Sequence, residues 1–283
     1  MSKRILELFG RPATAGGATD WAAIVRSQAC PFLGKKCIKV RKSQPRISIG
    51  SCTVTYGAEG APSMICPFRF LERRQVFTDA LHLLSLHEPG NELHVVPEVS
   101  VPGGSVDYLL VSAHEGKAVD FVGIELQTLD TTGTVWPARQ RFLSDVGVHV
   151  PKRDICSTKS YGMNWKMTAK TILVQLHHKV STFEHIAKHL VLVIQDRFLG
   201  YMRREFSFAH VSEARQGHAL HVHAYKLDTQ AGTPRLQLAG RWSTDAAGVA
   251  TALGLQVPSR VELESILAEI QKKLCPETLW TPV

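Results

Sequence analysis

The sequence predicts an α/β fold with a mixed central sheet, preceded by a cysteine-rich segment. Two apolar, β-branched runs, residues 106–113 and 118–126, flank a short polar break, which is the pattern of a β-hairpin. Residues 163–180 carry apolar side chains at helical spacing, and His189–Gln195 is a short apolar run typical of a buried strand. These elements predict helices packed on a central sheet.

The hairpin carries three polar side chains that a strand does not need for packing: Asp107, Glu125 and Gln127. If the turn is centred on Gly116, Asp107 and Glu125 lie directly opposite each other, with Cβ atoms ~4.5–5.5 Å apart. Glu125 and Gln127 are two residues apart and therefore share a face of the strand.

Two adjacent carboxylates repel each other, and a divalent cation relieves that repulsion. Mg²⁺ is held by one or two carboxylates together with phosphate and water oxygens. A metal bound in this way activates water and stabilises the transition state of phosphodiester cleavage. The simpler interpretation is a pair of solvated carboxylates on an edge hairpin.

Four of the six cysteines lie within residues 30–66, which indicates a metal site if the chain is cytosolic. Thiolates bind zinc or iron tetrahedrally, and such a metal would replace a core that this short segment lacks. The spacing is wider than in common zinc motifs, so four buried, reduced cysteines remain the alternative. The residues concerned are Cys30, Cys37, Cys52 and Cys66. Cys156 is expected to be a small core residue.

The formal net charge of +8 favours a polyanionic partner, with nucleic acid first. Every charged residue between Lys35 and Arg46 is positive, so phosphate contact is predicted there. A second basic face is predicted on the helix over residues 163–180. Ordinary solvated faces are the alternative in both places. The candidate DNA-binding residues are Lys35, Lys36, Lys39, Arg41, Lys42, Lys166 and Lys170.

Other elements follow from local patterns. Asp20 is expected to cap a helix over residues 21–28, and Asn164 the helix over residues 163–180. Residues 218–227 form a predicted strand on which His221 and His223 share a face, and surface histidines are favoured over a metal site. Further predictions are short helices at 4–9 and 136–146, one helix over 70–84, strands at 93–96 and 236–242, and an amphipathic helix at 259–274.

Neither a membrane span nor a secretory signal is expected. No apolar run reaches the ~18 residues that a spanning helix needs. The first residues lack the long apolar core of a signal peptide. A cytoplasmic location is therefore predicted.

The hairpin resembles the active site of PD-(D/E)XK nucleases. Asp107 matches the D, Glu125 the acidic residue of the second half-motif, and Gln127 the usual lysine position. Glu98, which follows Pro97, matches the extra upstream acid of many members. Glutamine carries no charge, so Gln127 could orient water or a metal ligand but could not act as a cation.

Several longer segments resemble the NotI-type restriction endonucleases, with EagI-like enzymes as shorter relatives. The resemblance spans roughly residues 20–210 and joins a four-cysteine segment to a D…E-x-Q hairpin, and the E-x-Q of these enzymes matches Glu125 and Gln127. The matching stretches read CPFLGKKCIKVRKSQPRISIGSC, ICPFR, PEVSVPGG…VDYLL…IELQTLDTTG and NWKMTAKTILVQLHHK.

The resemblance implies a type II endonuclease that makes Mg²⁺-dependent double-strand cuts at a GC-rich palindrome with a CGGCCG-like core. It implies a homodimer on double-stranded DNA, and structural iron (zinc as the alternative) on Cys30, Cys37, Cys52 and Cys66. A cognate DNA methyltransferase is expected in the same system. The implied segments are a cysteine-rich, DNA-contacting part at 1–69, a PD-(D/E)XK core at 70–210, and strands and helices packed on it at 211–283.

Two other functions remain open at this point. A DNA-repair or recombination nuclease could use the same core, and would cut by DNA structure rather than by sequence. A non-catalytic cysteine-metal module could bind DNA without cutting it. Asp107, Glu125 and Gln127 in a shared register argue against the second of these.

Overall fold

The computed structural model describes residues 4–14, 19–57, 60–229, 232–255, 267 and 271–272. The strands in these ranges are β1 (Ile5–Leu8), β2 (Arg11–Pro12), β3 (Ala29–Cys30), β4 (Lys35–Lys36), β5 (Val40–Arg41), β6 (Gln44–Ser48), β7 (Ser51–Tyr56), β8 (Ala61–Met64), β9 (Glu92–Val101), β10 (Gly104–His114), β11 (Lys117–Gln127), β12 (Thr131–Gly133), β13 (Tyr161–Met163), β14 (His189–Gln195), β15 (Ser212–Glu213), β16 (Leu220–Asp228) and β17 (Arg235–Thr244).

The helices alternate with these strands along the chain. They are α1 (Trp21–Ser27), α2 (Gln75–Thr78), α3 (Trp136–Asp145), α4 (Lys152–Ile155), α5 (Trp165–His185), α6 (Asp196–Glu205) and α7 (Ala246–Ala252). Two 3₁₀ segments, Pro67–Arg74 and Leu81–Leu83, flank α2.

A seven-stranded sheet forms the centre of the molecule, in the order β15-β17-β16-β14-β11-β10-β9. The strands β9, β10 and β11 are antiparallel neighbours, whereas β14 lies parallel to both β11 and β16. Helix α5 lies in the connection from β11 to β14, and α6 connects β14 to β16. The predicted mixed α/β fold is therefore confirmed, including the hairpin, the long helix and the buried strand at His189–Gln195.

Two apolar layers cover the sheet. Helices α5, α6 and α7 pack on one face, around Leu176, Leu192 and Val222. The 3₁₀ segments and α2 pack on the other face, around Phe70, Ile124 and Val193. Alternation along β11 therefore sends odd-numbered side chains towards α5 and even-numbered ones towards the 3₁₀ segments.

The predicted helix over residues 4–9 is wrong. Residues Ile5–Leu8 form β1, which pairs with β7 in a four-stranded sheet of order β2-β1-β7-β8. The long-range hydrogen bonds to β7 override the local helical pattern. By contrast, α1 begins as predicted, because the Asp20 carboxylate accepts a hydrogen bond from the Ala23 backbone N–H at 2.9 Å.

The predicted single helix over residues 70–84 is also wrong, although its apolar residues are buried. Phe70, Val76 and Phe77 lie in the core, as that pattern requires. The backbone is broken between them, since Arg73 and Arg74 adopt left-handed φ values of 52° and 55°. Burial of the side chains was therefore predicted correctly, and the regular helix was not.

Four other sequence-based expectations have mixed outcomes. The strand expected at 93–96 is the central part of the longer β9, and Asn164 precedes α5 without a side-chain capping bond. The helix expected at 259–274 lies almost wholly outside the described residues. The three-segment division stays a prediction, and β16 and β17 hydrogen-bond into the same sheet as β9–β11.

A buried arginine joins the small sheet to the central one. The Arg69 Nε donates to both carboxylate oxygens of Glu7 at 2.9 Å, and its Nη1 donates to Glu72 at 2.8 Å. Its Nη2 donates to the Pro234 carbonyl, just before β17. Arg69 and Glu7 are each 1% exposed, so their charges are balanced by each other and not by water.

We predict that Arg69→Met lowers the free energy of unfolding by about 3–5 kcal/mol, because it leaves Glu7 as a buried, uncompensated charge. Urea unfolding followed by circular dichroism measures this difference. The exposed neighbour Arg74 provides the control, since Arg74→Met removes a charge without uncovering a buried partner. Restoration of stability in the double variant Glu7→Gln/Arg69→Met supports the electrostatic cause. Equal losses of stability in Arg69→Met and Arg74→Met would contradict it.

Candidate active site

The register of the β10–β11 hairpin brings the predicted acidic pair together. Tyr108 lies opposite Ile124, so the next residues along this register are Asp107 and Glu125. The Leu126 backbone N–H donates to the Asp107 carboxylate at 2.8 Å, which fixes Asp107 against β11. The register expected from the sequence is thus confirmed.

The turn of the hairpin differs from the expected one, although the register at Asp107 and Glu125 is the same. Ala113 lies opposite Ala118, so the turn is tighter than one centred on Gly116. Glu115 and Gly116 both have positive φ, at 48° and 74°, which is the requirement of a two-residue type I′ turn. A one-residue shift after Ser112 then restores the expected register.

Glu98 lies on the edge strand β9, at the level of Asp107. The β9–β10 ladder pairs the residues on both sides of Glu98 with those on both sides of Asp107. Glu98 is exposed and has a φ of 53°, which is uncommon for a residue other than glycine. Its charge contributes to the raised pKa of Asp107, after the larger effect of burial. The structure therefore brings the three predicted acidic residues into one neighbourhood.

A lysine that sequence reasoning missed completes this group. The Lys179 Nζ of α5 donates to the Glu125 carboxylate at 2.5 Å, and their side chains are only 7% and 8% exposed. The sequence did contain a signal. Lys179 stands between Leu176 and Phe183 on the buried stripe of α5, where a charged residue needs a partner.

The ion pair with Lys179 does not cancel the effects that raise the pKa of Glu125. Burial, and then the charge of Asp107, raise that pKa to about 7, and the hydrogen bond and charge of Lys179 offset only part of the rise. A second pair on the same strand differs: Lys188 and two backbone N–H groups lower the pKa of Asp120 despite burial. The surroundings of Glu125 therefore favour an additional cation or proton.

The side-chain amide of Gln127 bonds to the backbone. Its Nε2 donates to the neighbouring Thr128 carbonyl at 2.6 Å. Gln127 shares the face of Glu125, as expected from strand alternation. It therefore lies on the same side of β11 as Glu125, with its amide nitrogen held by the backbone.

The donors in this group suit Mg²⁺. Two carboxylates plus phosphate and water oxygens are a common set for that ion. Among the described residues, no three His, Cys, Asp or Glu side chains are placed so as to hold a metal by themselves. Oxygen atoms of a substrate phosphate and of water would therefore have to complete the coordination of an ion on Asp107 and Glu125.

Comparison with known families identifies the chain. The family model of restriction endonuclease NotI matches residues 27–233, a span that contains both the cysteine segment and the acidic group.

The chain belongs to the NotI restriction endonuclease family. This membership makes it a type II restriction enzyme, a site-specific nuclease whose substrate is DNA. Membership of this family argues against the repair nuclease and the non-catalytic module. No match was found among curated proteins. None of the described helices has the length and apolarity needed to cross a bilayer.

The NotI-type resemblance implied a metal on four cysteines, and the structure does not support that site. All four thiols are free and buried, and Cys52 and Cys66 share a hydrogen bond. Nevertheless, no three of these thiols are arranged to hold a metal within the described part of the chain. The side chains as placed do not fit a tetrahedral ligand set, so no step of the mechanism involves it.

The thiols affect one another's pKa. Hydrogen bonding from Cys52 is the largest effect that lowers the pKa of Cys66, to about 7, and Lys39 contributes. Burial raises the pKa of Cys30 and Cys37. Among these four thiols, Cys66 is thus the one most prone to ionise. Contrary to expectation, Cys156 is exposed.

The predicted DNA-binding residues of the NotI-family segment fall into two groups. Lys35, Lys36 and Lys42 are exposed, as phosphate contact requires. Lys39 is turned inward, because its Nζ donates to the Ile65 carbonyl at 2.5 Å. Arg41 stacks on the Trp136 ring at 4.3 Å.

Lys39, Arg41 and Lys42 line a groove of about 830 Å³, together with residues from the α3–α4 region and after β12. That region adds Arg153 and Lys159, which sequence analysis did not include among the DNA-binding residues. The groove lining also includes Gly133, the last residue of β12. Lys166 and Lys170 are exposed near the start of α5.

The expectation that His221 and His223 are surface residues is wrong. They are 1% and 0% exposed, because β16 lies inside the sheet and its face is covered by the segment around Leu81–Leu83. Both ring nitrogens of His223 lack a hydrogen-bond partner among the described residues. The ring stacks on His82 with a centroid distance of 6.1 Å. Burial, and then the charge of Arg241, lower the pKa of His223 to about 3.

We predict that His223→Phe makes the protein less sensitive to acid. The folded protein holds His223 neutral down to about pH 3, whereas the unfolded chain protonates it near the usual value of about 6.5. Stability is therefore greatest above pH 6.5 and falls as the pH drops, by about 2 kcal/mol between pH 7 and pH 5 for this residue. Phenylalanine keeps the ring and removes this dependence.

Urea unfolding at pH 7, 6 and 5 measures the effect. The exposed His149 provides a matched control, and His149→Phe should leave the pH dependence of the wild type unchanged. A His223→Phe variant that loses stability with the wild-type slope would contradict the prediction.

Proposed function

We propose that this NotI-family chain is a type II restriction endonuclease that cuts both strands of DNA in a Mg²⁺-dependent reaction at Asp107 and Glu125. The observation that carries the proposal is the β10–β11 register, which places these two carboxylates opposite each other inside the matched span. Burial, and repulsion by Asp107, favour a further cation at Glu125. The DNA substrate supplies phosphate oxygens that would help to coordinate this cation.

We assign the core to the PD-(D/E)XK type. Three antiparallel strands, β9 to β11, are followed through α5 by the parallel strand β14. The acidic residues lie where the second and third of these strands run side by side. The D…E-x-Q pattern of Asp107, Glu125 and Gln127 supports the same assignment.

Each side chain of the group has a distinct role in this proposal. Asp107 and Glu125 hold the metal, and Glu98 supplies an additional acid at the exposed edge. Gln127 orients the attacking water through its side-chain oxygen. When bound, Mg²⁺ lowers the pKa of that water and offsets charge on the phosphoryl group. Water adds to phosphorus, and one phosphodiester bond breaks.

The substrate is proposed to be a GC-rich palindrome with a CGGCCG-like core, from the family resemblance. A palindrome has twofold symmetry, and a C2 homodimer would place one acidic group on each strand. With a net charge of +8 per chain, such a dimer would carry about +16, so its binding to DNA should depend steeply on salt.

The basic groove along Lys42, Arg153 and Lys159 is the proposed path for one DNA backbone. Its lining includes Gly133 at the end of β12, the strand that follows β11 in the chain. Asp154 lines the same groove but is neutralised, since it pairs with Arg41 at 3.5 Å and accepts from Trp136 Nε1 at 2.9 Å. Lys166 and Lys170 would contact the DNA further along. A methyltransferase that protects the same sequence is expected to accompany the enzyme.

We predict that Glu125→Ala abolishes cleavage, by at least about 100-fold, and leaves binding of the cognate duplex in Ca²⁺ largely intact. The assay is digestion of a GC-rich plasmid with Mg²⁺, followed by sequencing of the ends. Glu92→Ala on the neighbouring strand β9 is the control, because Glu92 is exposed and lies outside the acidic group. Cleavage by Glu125→Ala at the wild-type rate would refute the assignment of the site.

Mixed dimers test the assembly. Wild-type chains exchanged with an excess of Glu125→Ala chains should nick the plasmid instead of linearising it, because each chain serves one strand. Nicked product in proportion to the mixed fraction supports the homodimer. Linear product from a protein that light scattering shows to be monomeric on DNA would exclude it.

A further inference from the structure

The ion pair between Lys179 and Glu125 holds a positive charge at the base of the candidate active site. The Nζ–Oε1 distance is 2.5 Å, and neither side chain is more than 8% exposed. The same ammonium group lowers the pKa of Asp107, after the larger effects of burial and of the Leu126 N–H. Lys179 therefore acts on both carboxylates, although it comes from a helix and not from the hairpin.

The fold builds this position with close packing. Glycines 103 and 104 link β9 to β10, and a Cβ at Gly103 would lie 3.0 Å from the His178 backbone carbonyl. A Cβ at Gly104 would lie 3.3 Å from the Lys179 Cε. The Thr182 hydroxyl donates to the Pro102 carbonyl at 3.2 Å. The turn before Asp107 thus lies directly against α5, and the lysine side chain has little freedom to move.

The hairpin itself offers no cation at this place. Gln127, two residues after Glu125, is neutral, and its amide donates to the Thr128 carbonyl at 2.6 Å. Among the described residues, Lys179 is the cation that acts on both Asp107 and Glu125. During hydrolysis the phosphodiester gains one negative charge as it passes to the pentacovalent state. Two carboxylates, one Mg²⁺ and a singly charged phosphodiester already sum to a net negative charge.

We propose that Lys179 is the charge-balancing and positioning residue of the nuclease site, and that it supplies from α5 the positive charge that Gln127 does not supply. Its ammonium group holds Glu125 in place before the metal binds and offsets the charge that develops on the phosphoryl group. The inference rests on the proposed function, since it requires Glu125 to belong to the hydrolytic site.

A neutral variant separates this role from a purely structural one. In Lys179→Met, which keeps the aliphatic stem, plasmid cleavage in Mg²⁺ should fall about 100-fold. The Ca²⁺ concentration for half-maximal binding of the duplex should fall about tenfold, because the cation no longer competes with an ammonium group for Glu125. Loss of a merely structural contact would weaken both properties together.

Moving the positive charge from residue 179 to residue 127 gives a second test of the proposal. Gln127→Lys in the Lys179→Met background places an ammonium group on the same face of β11. It should cut at least tenfold faster than Gln127→Met in the same background, because both variants lack the glutamine oxygen and differ in the charge. Equal cleavage by these two double variants would overturn the claim that the missing element is a positive charge.

The pair of Lys188 and Asp120 is the matched control. Its Nζ–Oδ1 distance is also 2.5 Å, and Asp120 lies on the same strand as Glu125. Lys188→Met should reduce thermal stability without changing the cleavage rate of the folded protein. Cleavage by Lys179→Met within threefold of wild type would overturn the proposal for Lys179.

Two further outcomes are decisive. If Lys179→Met does not fold, Lys179→Gln, which keeps a hydrogen-bond donor, replaces it. Failure of both neutral variants to fold would show that the lysine is structural and would end the proposal. The failure of the proposed function looks different: Glu125→Ala would then cut like the wild type, whatever Lys179→Met does.

Discussion

The pairing register between β10 and β11 is the constraint on which the candidate site depends. Side chains alternate along a strand, so a slip of one residue would turn Glu125 from the α5 face to the opposite face. That opposite face is filled by Ile124 and Leu126 against the 3₁₀ segments. A buried carboxylate there would have no partner, and the cost of burying an unpaired charge makes the slip unfavourable. The bulge after Ser112 reconciles this register with a tight turn.

A second constraint comes from Arg69. Its guanidinium group joins β1, the first 3₁₀ segment and the chain just before β17, and it does so while almost fully buried. Glu72 also accepts from the Leu236 N–H at 2.7 Å, so the ion pairs extend into β17. Breaking one partner would leave a charge in the core, and the small sheet is therefore held firmly to the central sheet.

Two lysine–carboxylate pairs involve residues of β11, and their different surroundings give the two carboxylates different pKa shifts. Asp120 has a lysine and two backbone N–H donors, and its charge is satisfied. Glu125 also has a lysine, but burial and the charge of Asp107 raise its pKa to about 7. The first pair stabilises the fold. The second pair leaves Glu125 in surroundings that favour a further cation or proton.

Local sequence patterns are enough to predict the hairpin, its register, the long helix and the buried strand at His189–Gln195. Each of these depends on local patterns: alternation, helical spacing and turn residues. The sequence therefore predicts that Asp107 and Glu125 are neighbours. The cysteine spacing was equally visible, but spacing alone does not bring thiols to within ligand distance.

The contacts between distant elements depend on how the whole chain folds. Residues 5–8 form a strand because β7 offers hydrogen bonds, and residues 70–84 break their helix where Arg69 and Glu72 must reach distant partners. Lys179 is one of several lysines on α5, and the packing of α5 against the sheet brings it to Glu125. The sequence predicts an exposed His223, but β16 is an inner strand of the sheet and His223 is buried. Local sequence fixes which way a side chain faces, whereas its partner comes from a part of the chain that no local pattern specifies.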